Sequence, residues 1–450
     1  MNRQWMFLLF ATSVNGLASA ENLQTVYDHA LIADPTLQQA AALHLATRET
    51  RTQAILDMVP LNANATKNWN GVAGNSVTSP TLANLGLKVN LFSWDNWIAL
   101  KAASSTVAQG EANYQAAEQD LIARVAAQYF AVLNAADVLV AQESALQSVS
   151  RQLDQAERRY EVGLIAITDV QIARATRDSS AAAVIAAKRI MASAEEQLRA
   201  ITGEKYQRLA KPGDGMPLLS PDPASEDTWV ATALSQNSNL IASRLAADIS
   251  RDGYLTAIGG HLPSINASAS RSWALGGNDV TPAQQALLGL NTQDIVWSVG
   301  VTVPLFSAGA TQSRVRQAKY TWKAASAGYE RTLRQTEQQA RDAYQGVISQ
   351  IAQVGAFKQA VQSNQISLQA TEAGYEVGTK TAIDVLTARQ QLVQAQTNYA
   401  QAKYSYLNNI VSLRQAAGNL NRTTITLING WLVEQPPAEN STPPATPAAP

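Results

Sequence analysis

Two stretches without proline constrain this chain more than any other feature. No proline falls between Pro80 and Pro212, and none between Pro304 and Pro436. Each stretch is more than 120 residues long. Proline costs roughly 3 kcal/mol inside a helix, so gaps of this length read as very long helices. The run from Asp95 to Tyr160 predicts one helix of about 65 residues, or about 100 Å at 1.5 Å per residue. Gly163 ends it, and Thr168 and Asp169 restart a helix that runs towards Thr202 and Gly203. The pattern recurs from Thr311 to Tyr375, with a turn at Gly378 and a return to about Gly418. A helix of that length cannot bury one face in an ordinary globular core. Its alanines (Ala123, Ala126, Ala127, Ala131, Ala135 and Ala136 in one stretch) permit close helix approach, as in antiparallel coiled coils.

The recurrence is a tandem duplication. Tyr160-Glu161-Val162-Gly163, Thr168-Asp169-Val170 and Ala173-Arg174 match Tyr375-Glu376-Val377-Gly378, Ile383-Asp384-Val385 and Ala388-Arg389, every pair 215 residues apart. Asn90-Leu91-Phe92-Ser93 matches Pro304-Leu305-Phe306-Ser307 at an offset of 214. Leu37 with Leu240, and Pro60 with Pro263, agree at 203. Constant order at nearly constant spacing marks a repeat.

Each half opens with a helix, Leu23 to Met58 and Trp229 to Gly260, followed by strands at Leu61 to Trp69 and Leu262 to Trp273. Loops rich in Gly, Asn, Ser and Thr are expected at Asn70 to Thr81 and Ala274 to Asp294. The returning strands alternate with period two. Leu85, Leu87, Val89 and Leu91 share a face, as do Ile295, Trp297, Val299, Val301, Val303 and Leu305. Strands with one apolar face and no helical cover look like lipid-facing barrel strands. Four strands cannot close a barrel, and open edges are not tolerated in lipid. Several copies must therefore combine. Three would give twelve strands, and four would also give an even count. Trp69, Trp94, Trp97, Trp273 and Trp297 lie in or beside the strands, where tryptophan suits a membrane interface or a barrel-to-helix junction.

The ends carry processing signals. Residues 1–20 form a signal peptide, with Arg3 before an apolar run and Ala18-Ser19-Ala20 as the cleavage site. No later stretch reads as long and apolar enough for a membrane helix. Residues 21–203 then form the first repeat, 204–225 a proline-bearing linker, 226–433 the second repeat, and 434–450 a disordered Pro/Ala/Thr-rich tail. Without cysteine there are neither disulfides nor thiolate metal sites. A net charge of −1 gives no case for nucleic acid. His29, His44 and His261 make no metal spacing. No G-x-S-x-G, P-loop or Rossmann pattern is present, so neither an enzyme nor a cofactor is expected. A coiled-coil surface scaffold would need no strands, and a porin would be mostly strand.

The chain resembles the TolC family of outer-membrane exit ducts from Glu21 to about Trp431. The resemblance rests on Val162-Gly163-Leu164, Ala166-Ile167-Thr168-Asp169-Val170, Glu196-Gln197-Leu198-Arg199, Ile201-Thr202-Gly203, Gly260-His261-Leu262-Pro263 and Asp384-Val385-Leu386. It implies a mainly helical fold, in which antiparallel coiled-coil helices form an α-barrel and four strands per chain join a shared transmembrane β-barrel. It also implies a homotrimer in outer-membrane lipid with a long periplasmic extension. The implied partners are a periplasmic adaptor protein and an inner-membrane efflux pump or ABC secretion transporter.

The resemblance further implies a periplasmic gate at Thr168, Asp169, Tyr375 and Lys380. Lys380 would pair with Asp169, and the Tyr375 hydroxyl would donate to the same carboxylate. Asp384 matches an acidic ring at the entrance, while Thr387 stands where the family carries a second aspartate. Lys380 stands in place of an arginine, so a fork becomes a point charge. Gly163, Leu164, Gly378 and Thr379 form tips that adaptors would contact. As a bland alternative, Asp169 serves only the helix N-terminus.

Overall fold

The computed structural model describes residues 20–72, 75–213, 215–275, 295–305 and 308–433. Within residues 67–82 and 273–275 only the backbone is described. The expected signal peptide (apart from Ala20), most of the second loop and the expected tail lie outside the described residues.

The element order repeats once. α1 (Leu23–Ala33) and α2 (Pro35–Leu56) lead to β1 (Leu61–Val72) and β2 (Asn75–Phe92), then α3 (Trp94–Glu161) and α4 (Ile167–Thr202). After β3 (Lys211–Pro212), α5 (Glu226–Gln236) and α6 (Ser238–Gly259) lead to β4 (Ser264–Leu275) and β5 (Val296–Thr302). α7 (Ala310–Glu376), α8 (Ala382–Ala416), α9 (Arg422–Asn429) and β6 (Leu432–Val433) complete the chain. α3 and α7 run for 68 and 67 residues, as the proline gaps predict.

The first helix of each half is broken, against expectation. Asp34 adopts extended angles before Pro35, because a residue preceding proline is driven out of the helical region. At the matching place Asn237 is extended, and its side chain caps α6 by accepting from Leu240 N–H at 3.0 Å.

The chain forms two compact units, each taking segments from both halves. One holds residues 36–117 and 231–338. Its four strands form one antiparallel sheet in the order β1-β2-β4-β5. The expected loop over Asn70–Thr81 is mostly strand, since Val72 pairs with Asn75 and Lys67 with Thr81. Pro80 fits because the register shifts between Lys67 and Trp69. A proline needs such an irregularity, having no N–H for the ladder.

Register places Leu87, Ala269 and Trp297 in one row, and Val89, Ala267 and Val299 in another. Lys88, Ser268 and Ser298 form the row between them, on the opposite face. Trp297 is 76% and Val299 71% exposed, so the apolar face is uncovered within the chain. Trp94 packs at a helix junction. Its Nε1–H donates to the Leu255 carbonyl at 3.0 Å, and a Cβ at Gly259 would lie 2.4 Å from its ring. Lys101 reaches the buried Asp252 at 2.7 Å.

The other unit holds residues 1–35, 118–230 and 339–450. Its core centres on Leu121, Tyr129, Phe130, Leu133, Tyr406 and Leu407. Of the six alanines expected to form a stripe, Ala126 and Ala135 are buried while Ala127 is exposed. Larger apolar side chains fill the core instead. α3 also contains an 18-residue window apolar enough, by length and composition, to cross a membrane, contrary to the sequence reading. Segment 204–225 is pinned rather than free. β3 pairs with β6, and Tyr406 accepts from Leu219 N–H at 2.7 Å. Asp137 gathers Lys211 and the Tyr404 hydroxyl, each at 2.7 Å. Burial, and then that carboxylate, raise the Tyr404 pKa, keeping the hydroxyl a donor.

Candidate gate at the two helix tips

α3 and α7 end in the same way. Gly163 and Gly378 take φ of 76° and 80°, the left-handed region that side chains with a Cβ disfavour. Gly163 N–H donates to Tyr160 O and Leu164 N–H to Arg159 O, both at 2.8 Å. In the second tip Gly378 N–H bonds Tyr375 O at 3.1 Å and Thr379 N–H bonds Gly374 O at 2.8 Å. These paired bonds are Schellman closures. They project apolar side chains outward, with Leu164 72%, Val162 69% and Val377 76% exposed.

The helices restart differently. α8 is capped by Thr381 in a reciprocal box. The Thr381 hydroxyl accepts from Asp384 N–H at 3.2 Å, while Thr381 N–H and Oγ1–H each donate to Asp384 Oδ2 at 2.8 Å. These bonds, with a smaller contribution from Lys380, hold the Asp384 carboxyl below the usual carboxylate range. The matching cap of α4 is Ala166, which has no side-chain acceptor. Thr168 and Asp169, expected at the N-cap, therefore lie inside the first turn. Asp169 N–H bonds the Ala166 carbonyl at 3.1 Å, and no reciprocal box engages its carboxylate.

Each hairpin is tied by a repeat-related ion pair. Arg174 meets Glu157 at 2.8 Å, and Arg389 meets Glu372. Apolar contacts back both. Ala156, Val170 and Ala173 pack with Leu153 and Ile165. Leu368, Val385, Ala388 and Leu392 pack with Val361 and Tyr375. The matched motifs contain both arginines but not their partners, so motif matching does not reach these pairs. Glu157 and Glu372 share the 215-residue offset, which is the signal that could have found them.

Tyr375 takes the Arg159 guanidinium over its ring, 5.0 Å from the centroid. Lys380 is exposed, and its stem lies across Gly374. Among the described residues, no hydrogen bond or ion pair joins Asp169 to Tyr375 or Lys380 within one chain. Asp384 is exposed. Thr387 turns its hydroxyl into its own helix, donating to Ile383 O at 2.9 Å. Among the described residues no His, Asp and Glu cluster is arranged to hold a metal.

The chain is similar to known proteins over most of its length. The outer membrane efflux protein family matches residues 26–204 and 229–419, separately in each half. The outer membrane protein TolC of Vibrio cholerae is 34% identical over 430 residues, covering 94% of this chain and 98% of that one. The alkaline protease secretion protein AprF of Pseudomonas aeruginosa is 25% identical over 438 residues, covering 94% and 90%. The solved structure of the outer membrane protein VceC from Vibrio cholerae superposes with a TM-score of 0.74 at 22% identity, covering 88% of this chain and 96% of that one, so the fold is shared. The chain belongs to the outer membrane efflux protein family.

Proposed function

We propose that this chain assembles into an exit duct whose periplasmic entrance is gated at the two helix tips. As a member of its family the protein resides in the outer membrane, passes cargo rather than transforming it, and serves efflux and type I secretion. The observation that carries the reading is the uncovered sheet. Its apolar rows are uncovered within the chain, and β1 and β5 each have one paired neighbour. Lipid tolerates no open edge, so copies must close the sheet into a barrel. Three copies, supplying twelve strands, fit the even-numbered rule.

The gate reading follows from what each chain leaves unmet. Asp169 lacks a capping partner, while Lys380 extends from the neighbouring tip. A link between them would cross from one chain to another, and repeated weak contacts of about 0.2–1 kcal/mol suit a latch that a docking partner opens. Exposed Leu164 supports adaptor contact at the tips, together with Gly163, Gly378 and Thr379. The adaptor would connect the duct to an inner-membrane pump or transporter.

The test is single-channel conductance of the purified oligomer in a planar bilayer. A small wild-type conductance should rise clearly in an Asp169→Ala, Lys380→Ala double variant. Unchanged conductance would remove the latch and keep the duct. A folded oligomer that conducts nothing would favour a passive scaffold.

A further inference from the structure

A cavity of about 550 Å³ lies beside the tips, between the end of α3 and the α7–α8 hairpin. That volume suits a small molecule. Its wall is cationic. Arg151, Arg158, Arg159 and Arg389 line it against only Glu372 and Glu376. Glu372 is taken by Arg389, and Arg159 sits on Tyr375. Among the described residues no ion pair engages Arg151, Arg158 or Arg159.

Guanidinium forks are matched to oxyanions of planar or tetrahedral geometry.

We propose that this cavity is a binding site for a small polyanion, a polycarboxylate or phosphate ester. The ligand would join α3 to the second hairpin. Its anionic groups would lie against Arg151, Arg158 and Arg389.

Titration calorimetry on the full-length oligomer in detergent tests this, with citrate as the probe at constant ionic strength. One saturable site per chain is expected. Tricarballylate, with the same three carboxylates, should bind comparably, and acetate, with one, far more weakly. Arg151 and Arg158 are exposed, so Arg151→Ala and Arg158→Ala should fold normally. Each should weaken citrate about tenfold, the loss of one charge-assisted hydrogen bond. Arg158→Lys, which keeps the charge but not the fork, should fall between. Citrate heat matched by sodium chloride, or binding unchanged in both alanine variants, would overturn the site and leave a water-filled cavity. Because the readout is heat rather than current, its failure would leave the gate untouched.

Discussion

Asp384 and Asp169 occupy matching positions 215 residues apart, yet one is bound within its own turn and the other is not. The difference is a single residue, Thr381 against Ala166. Asp384 has a depressed pKa because Thr381 donates to its charged form. Its contribution to the cap is complete above the ordinary carboxylate pKa of about 3.9 and is lost as pH falls through its lower folded value. If Asp384 forms the acidic ring that the resemblance implies, cation selectivity drawn from it should persist through the ordinary carboxylate pKa and fade only below it. Thr381→Ala should move that loss towards the ordinary value. Reversal potentials across a salt gradient, read from about pH 6 to about pH 3, bracket that range and measure the midpoint. An unshifted midpoint in the variant would detach selectivity from Asp384. With Thr387 bonded to its own helix, the wild-type selectivity should be weaker than that of an entrance with two acidic rings. At the turns, Gly163→Ala and Gly378→Ala should each cost about 1–2 kcal/mol, since a Cβ is penalised in the left-handed region. Nothing lies within 4 Å of where that Cβ would stand at either site, so the cost is conformational. Faster amide exchange confined to the altered tip would register it.

The two hairpins are similar in plan, but their ion pairs differ in burial. Arg389 is 17% exposed against 51% for Arg174, in otherwise matching ion pairs. An exposed pair contributes little, whereas a half-buried guanidinium deprived of its carboxylate is left poorly solvated. Glu372→Gln should therefore loosen the α7–α8 hairpin by about 1–3 kcal/mol, and Glu157→Gln the α3–α4 hairpin by less than about 1 kcal/mol. Hydrogen exchange resolved by hairpin would separate them, and equal effects would refute the ranking. The long helices are legible in the sequence because proline absence and repeat spacing are properties of the sequence itself. The break at Asp34 is legible in Pro35, which the expected helix from Leu23 to Met58 runs through, whereas that at Asn237 is not, because a continuous apolar pattern hides one extended residue. β1 and β2 exceed their expected lengths because Asn, Ser and Thr resemble loop residues. In a sheet, their backbones pair as well as any others. Gly163 and Gly378 mark the tips in the sequence, but nothing there marks the partner of Tyr375. Arg159 lies on α3, far from Tyr375 in sequence, and only packing brings them together.

At the scale of the whole molecule, the sheet decides what the chain must become. Lys88, Ser268 and Ser298 form a polar row, and Ser268 and Ser298 are joined by a hydroxyl hydrogen bond of 2.7 Å. Val89, Ala267 and Val299 stand on the opposite face. If the apolar rows meet lipid and the polar rows meet water in a shared barrel, the two faces must respond oppositely to charge. Val299→Lys should cost about 2–4 kcal/mol near the bilayer midplane and reduce the yield of assembled oligomer. Ser298→Lys, one residue away, loses a hydroxyl bond worth about 1 kcal/mol and gains a hydrated amine, so assembly should survive. Oligomer bands on unheated denaturing gels, after refolding into lipid vesicles, report both. Loss in Val299→Lys alone supports the orientation. Loss in Ser298→Lys alone would turn the sheet inside out, and tolerance of both would mean that neither face meets lipid. Edge closure predicts in addition that no folded monomer accumulates in the bilayer, because β1 and β5 have nowhere else to pair. An abundant inserted monomer would contradict the shared barrel, whatever the faces do.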